Sequence, residues 1–146
     1  MIALDTNILV YAHRSDSPWN QAAYACVRGL AEQRSSWAIP WPCVYEFFSI
    51  VTHPRIYAPP STTEQAIEQL DVWLEAPGIT LLAEEGAHWP TLKALLLRGK
   101  VSGPLAHDAR IAALCLAYGV SELWSADRDF GRFGKLRTRN PLLGTG

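Results

Sequence analysis

Apolar residues in this chain occur in two arrangements: short uninterrupted runs, and longer stretches in which they recur every three or four positions. Ile2–Leu4 and Trp37–Ile39 belong to the first kind and, with the mainly apolar Ile79–Leu82 and the Leu123-Trp124 pair within Glu122–Ser125, read as strands. The second kind predicts helices. One runs through Ile8, Leu9 and Tyr11. Another, Trp19–Gln33, is opened by Ser17-Pro18 and carries Ala23, Cys26, Val27 and Leu30 on one face. Cys43–Val51 follows Pro42 and is stopped by His53-Pro54. Thr62 or Thr63 caps a helix to about Glu75, which Pro77-Gly78 ends; two more run over Ala87–Arg98 and Leu105–Tyr118, the last closed by Gly119. The basic segment Arg132–Arg139 is a candidate edge strand. Strands that alternate with helices, and do not alternate in polarity, describe a parallel sheet buried on both faces. The expected fold is α/β: a short central sheet of four to five strands between two helical layers. The 146 residues fit one domain spanning 1–146.

Composition adds that the chain can fill a core, since 49% of it is hydrophobic and six Trp and four Phe are among it, which excludes a disordered chain. The net charge of −1 does not mark a nucleic-acid binder, but its distribution is uneven. Residues 1–92 carry four Arg/Lys against ten Asp/Glu, and residues 93–146 carry nine against four, so a polyanion would meet the C-terminal part. Cys26, Cys43 and Cys115 form no paired framework and read as buried free thiols in a reducing compartment. No apolar run reaches membrane-spanning length, and the N-terminus lacks a basic leader, so a soluble cytoplasmic protein without a membrane partner is expected.

The acids carry the chemistry. Asp5 ends the first strand, Asp108 lies near the start of the helix before the fourth, and Asp127 and Asp129 follow the fourth. In open parallel sheets the ligand crevice lies beyond the carboxyl ends of the strands, so these acids should share one rim. Glu46 sits among apolar neighbours, where an acid is costly unless a cation neutralises it; oxygen ligands suit magnesium or manganese. Each acid alone has a structural reading as a helix cap, turn residue or solvent-facing group. Between Asp127 and Asp129 the former is favoured as the fourth acid, since alternation puts it beside Ser125, while a turn starting near Arg128 would swing Asp129 away to cap the segment Phe130-Gly131-Arg132-Phe133.

These residues resemble a known family. Leu4-Asp5-Thr6-Asn7-Ile8-Leu9-Val10-Tyr11 looks like the opening motif of PIN domains; Glu46 in its helix, His107-Asp108-Ala109-Arg110-Ile111-Ala112-Ala113, and Trp124-Ser125-Ala126-Asp127-Arg128-Asp129-Phe130 resemble the later motifs, in order. The likeness runs from Ile2 to about Leu142 and is greatest to VapC toxins of bacterial toxin–antitoxin pairs. It implies a magnesium-dependent endoribonuclease, a homodimer, and inhibition by a VapB-type antitoxin. It also implies an acidic site of Asp5, Glu46, Asp108 and Asp127, with Asn7 and Ser125, and Asp129 close by, orienting carboxylates or water.

The mechanism expected is hydrolysis of an RNA phosphodiester bond by water activated at Mg²⁺, with Mn²⁺ an acceptable substitute. Arg128, Arg132, Lys135, Arg137 and Arg139 are candidates for phosphate contacts. His107 receives no chemical role, most Trp are expected in the core, and Trp41 is a candidate to line the cleft. The rival readings are a catalytically silent PIN module that binds RNA or protein, and a nuclease acting on DNA. A magnesium-dependent phosphatase is disfavoured, because Asp5-Thr6-Asn7 offers Asn where a second acid is needed.

Overall fold

The structure is a computed structural model and describes residues 1–33 and 35–143. Five short parallel strands form the sheet: β1 Ile2–Leu4, β2 Trp37–Pro40, β3 Ile79–Leu82, β4 Glu122–Trp124 and β5 Thr138–Arg139, in the order β3-β2-β1-β4-β5. Every side chain of β2 is buried, which explains why its sequence shows no polar alternation. The basic tail does supply an edge strand, reduced to the two residues of β5 beside β4.

Six helices cover the sheet: α1 Thr6–His13, α2 Asn20–Glu32, α3 Trp41–Val51, α4 Thr63–Leu74, α5 His88–Arg98 and α6 Leu105–Ala117. Helix α6 buries Ala109 and the unbroken run Ile111–Cys115. Such an all-round apolar surface needs neighbours on every side, and it has them in α5, β2 and the 3-10 turn that follows β4. The predicted cap at Thr62 is present as a full capping box with Gln65. Helix α2 begins one residue later than expected: Ser17 accepts from the Trp19 amide, and no side chain caps Asn20 directly.

Two junctions lock the strand ends. Gly78 has φ +80°, and a Cβ there would lie 2.7 Å from the Ser35 carbonyl oxygen; its own carbonyl receives the Trp37 amide. Gly119, at φ +67°, ends α6 and turns the chain into β4. Two composition-based expectations need correction. Cys43 and Cys115 are buried but Cys26 is only half-buried; and of the six Trp only Trp37 and Trp73 are buried, while Trp19 and Trp89 are exposed. Among the described residues no helix is long and apolar enough to cross a membrane.

The chain leaves β1 for β2 and β3 on one side, then returns past β1 to β4 and β5 on the other. The strand order switches between β1 and β4, and open parallel sheets bind ligands at the carboxyl ends of the strands beside such a switch. The register places Leu4 opposite Trp124, and the Asp5 amide donates to the Trp124 carbonyl at 3.0 Å. The first residues beyond both strands therefore lie side by side.

Candidate active site

Asp5 is the first residue past β1 and the N-cap of α1: its Oδ1 accepts from the Thr6 amide at 2.8 Å. Its Oδ2 accepts from the Ser125 hydroxyl at 2.7 Å and from the Asn7 amide nitrogen at 3.4 Å. Asn7 also donates to Ser125 Oγ at 3.3 Å and accepts from the Ala126 amide at 3.1 Å. This closed ring clamps the end of β4 to the start of α1. Asn7 and Ser125 thus hold the Asp5 carboxylate in one orientation.

The other acids arrive on separate elements. Asp108 lies in the first turn of α6 and is half-buried. Asp127 and Asp129 belong to the 3-10 turn Arg128–Arg132. One carboxylate oxygen from each of Asp108, Asp127 and Asp129 lies within 4.8 Å of the other two. The turn begins at Arg128, as the sequence suggests, but its cap is Asp127, whose Oδ1 accepts from the Asp129 amide at 2.8 Å. Asp129 is not swung away by the turn; it points back to Asp108. Asp127 is tied to the ring as well, because its amide donates to Ser125 Oγ at 3.0 Å. Glu46, from α3, is half-buried and accepts from the Thr6 hydroxyl at 2.8 Å. Asp5 and Glu46 stand beside the trio and do not belong to it.

The electrostatics are those of one anionic pocket. Burial, at 5% exposure, raises the Asp5 carboxyl from 3.8 to about 6; the bonds from Ser125 and Thr6 pull it down, and the charges of Glu46 and Asp127 add to the rise. Asp108 is likewise raised to about 6, by burial first and then by Asp127, Asp5, Asp129 and Glu46. Among the described residues, no Arg, Lys or His forms a salt bridge with any of these five acids. Oxygen donors crowded together without a counter-charge form a setting for a hard divalent cation. Magnesium or manganese fits this donor set better than zinc, since neither a His nor a thiolate enters the trio.

Two contacts escaped the sequence reading. Thr6 steers Glu46, and the buried Cys43 thiol lies 3.7 Å from Asp5 Oδ1. Burial, with Asp5 and Glu46 nearby, holds Cys43 well above the ordinary thiol range, so it faces Asp5 as a neutral S–H donor. A hydroxyl one residue from a motif acid is a signal; a cysteine in an apolar helix gives none. Arg128, Arg132, Lys135, Arg137 and Arg139 are all exposed, and none forms a salt bridge among the described residues; the Arg139 guanidinium lies 5.8 Å from the Trp124 ring centre. His107 is exposed and neither caps nor packs, while Trp41 stacks on Tyr45 beside Glu46 with ring centres 6.1 Å apart.

Comparison with known proteins identifies the family and the fold. The family model described as PIN domain matches residues 2–136. Ribonuclease VapC43 of Mycobacterium tuberculosis is 33% identical over 144 residues, covering 99% of this chain and 97% of that protein. Ribonuclease VapC48 of the same organism is 29% identical over 140 residues, 96% of this chain and 97% of its own length. Among solved structures, VapBC2 from Rickettsia felis, bound to a fragment of promoter DNA, aligns with a TM-score of 0.67 at 23% identity, over 95% of this chain and 98% of that one. At this identity the likeness speaks for the fold alone.

Proposed function

The chain belongs to the PIN-domain family, among its VapC ribonucleases, and on that premise we propose that it is a divalent-metal-dependent endoribonuclease acting as the toxin of a toxin–antitoxin pair. The observation that carries the reading is the trio Asp108, Asp127 and Asp129, with oxygens within 4.8 Å of one another and no salt bridge to a cationic side chain among the described residues. Asp108, Asp127 and Asp129 would hold the ion, with Asp5 and Glu46 completing the acidic wall. Mg²⁺ or Mn²⁺, when bound, supplies charge to offset the phosphate and lowers the cost of deprotonating water.

The chain's own residues supply the rest. Ser125 and Asn7 keep Asp5 from rotating, and Thr6 does the same for Glu46, so the acids are positioned before substrate arrives. The side chains within the site offer no paired nucleophile and base, which fits hydrolysis by water. Arg128, Arg132, Lys135, Arg137 and Arg139 would engage backbone phosphates and offset the repulsion between RNA and the acids. Asp127 plays two parts here, as cap and as ligand, and Asp129 moves from a supporting place to a ligand.

The natural inhibitor is a VapB-type antitoxin, and the active form a homodimer in the cytoplasm. Exposed Tyr24 and Val72 line a cleft of about 610 Å³ between α2 and α4, an apolar surface suited to a partner helix. Incubating the purified protein with RNA in Mg²⁺, Mn²⁺ or excess EDTA tests the enzyme reading: cleavage is expected with either metal and none with EDTA. Cleavage that persists in EDTA, or in a folded Asp108→Asn protein, rules the metal site out. Coexpression with the adjacent reading frame, yielding an inactive complex, tests the toxin reading separately.

A further inference from the structure

Beside the carboxylates, on the side of Glu46, lies a cleft of about 320 Å³ lined by Pro42, Tyr45, Glu46, His107 and Arg110. Its walls come from α3 and α6, the two helices that carry Glu46 and Asp108, so whatever fills it adjoins the acidic site. Three features describe its ligand. Tyr45 is 64% exposed, and Trp41 four residues earlier stacks on it at an interplanar angle of 27°, so the ring is braced as well as exposed. His107 adds a second exposed ring system one residue before Asp108. Arg110 is oriented by its Nε bond to Glu84, and its two terminal nitrogens have no hydrogen-bond partner among the described residues.

An open aromatic platform, a second ring and a fork of free N–H donors in a cleft at the small end of ligand-pocket sizes match a flat heterocycle with adjacent acceptors. We propose that this cleft is a nucleobase subsite, taking the base next to the scissile phosphate and favouring guanine, whose O6 and N7 suit the Arg110 fork. The inference rests on the nuclease reading and adds a substrate preference to it. Glu46 borders both the cleft and the acids, so a base seated here sets the register in which the backbone crosses the trio. Tyr45 and Arg110 are specificity residues in this account, and Trp41 positions Tyr45.

The test is to cleave a randomised single-stranded RNA pool with the full-length protein in Mg²⁺, sequence the ends, and measure kcat and KM on one preferred oligonucleotide. Wild type should show guanine enriched at one position flanking the cut. Tyr45→Ala should raise KM roughly ten- to a hundredfold with kcat little changed, and Tyr45→Phe should restore it. Arg110→Lys, which keeps the charge and loses the fork, should flatten the guanine preference. Replacing the preferred guanosine by an abasic residue should bring wild type and Tyr45→Ala to the same KM. Cleavage with the same end composition and KM in wild type and a folded Tyr45→Ala overturns the subsite and leaves the nuclease reading standing. No cleavage by wild type in Mg²⁺ or Mn²⁺ overturns the nuclease reading, and the subsite with it.

Discussion

Helix α1 separates two clusters of polar side chains by roughly 10 Å of helix. At its start stand Asp5, Glu46, Asp108, Asp127 and Asp129. At its end, His13 Nε2 meets Ser61 Oγ at 2.9 Å and its Nδ1 meets Gln69 Oε1 at 3.2 Å. There Arg14 grips Asp16 through two bonds, donates to Ser61 and to the Pro59 carbonyl, and lies 4.2 Å over the Tyr57 ring. The second cluster lines a cavity of about 620 Å³, larger than the 320 Å³ cleft by the acids, so size alone would select the wrong end of the helix. The difference lies in balance. Around Arg14, charge meets countercharge and donors meet acceptors, and burial pushes His13 below its ordinary range so that it remains neutral. Around Asp108 the charges share one sign and repel. A balanced cluster holds the loop before α4 in place; the unbalanced one presents oxygen donors without a countercharge.

The strongest way to break this contrast is Asp5→Asn. Stabilising charge at a metal-assisted phosphoryl centre is worth several kcal/mol, so RNA cleavage should fall on the order of 10³-fold. The metal-free protein should at the same time melt at a higher temperature, because a carboxylate that burial disfavours is gone. Activity assays and calorimetry on the same preparation check both. A melting temperature that drops would place Asp5 with the balanced cluster.

The pH dependence follows from the same imbalance. Asp5 and Asp108 titrate near 6 in the folded protein and near 3.8 when unfolded, so between these values the folded state binds more protons. Stability of the metal-free protein should therefore decline as pH rises from about 4 to about 6, and change little beyond that. For the buried Asp5 the loss is on the order of 3 kcal/mol, and for the more exposed Asp108 it has the same sign. The slope should be shallower in Asp5→Asn, and saturating Mg²⁺ should oppose the loss above pH 6. Chemical denaturation across this range would measure it.

Arg14→Ala should have the opposite character. It removes one donor from the Ser61 hydroxyl, which keeps His13, and one from the exposed Pro59 carbonyl, costing about 1 kcal/mol of stability, while metal binding by the folded protein stays unchanged. Metal titration well below the melting temperature, set beside a denaturation curve, separates the two effects. The smallest contrast lies within the trio. Asp127→Ala should remove a helix cap worth about 1 kcal/mol as well as a metal ligand, whereas Asp129→Ala should weaken metal binding and leave stability unchanged. Equal stability losses in both variants would show that the cap at Asp127 contributes nothing.

Much of this was legible in the chain. Period and punctuation placed β1 to β4 and the helices α2 to α6 to within a residue or two, because short buried strands need apolar runs and helices need a repeat near 3.6 with caps and stops; the edge strand, expected over Arg132–Arg139, is only Thr138–Arg139. Residues held by local geometry were legible too: Asp5 at the end of a strand, Asp108 at the start of α6, Asn7 and Ser125 at motif spacing. The turn after β4 was harder. Sequence placed its start at Arg128 but assigned its cap to Asp129, because a cap is decided by which of two carboxylates reaches a backbone amide, and that depends on the exit angle of β4.

What the sequence determined by itself was therefore the set of elements and the identity of the acids, since both are written in nearest neighbours along the chain. Tertiary structure alone decided how those acids are grouped. The β1–β4 register put Ser125 on Asp5, and the packing of α6 against the turn brought Asp108 to Asp127 and Asp129 while Glu46 was drawn to Thr6. It also set Tyr45 beside His107 and Arg110, residues more than sixty positions away. Those distances depend on strand order and helix packing, which arise only when the core closes, and like charges stay together there because the apolar contacts behind them outweigh their repulsion.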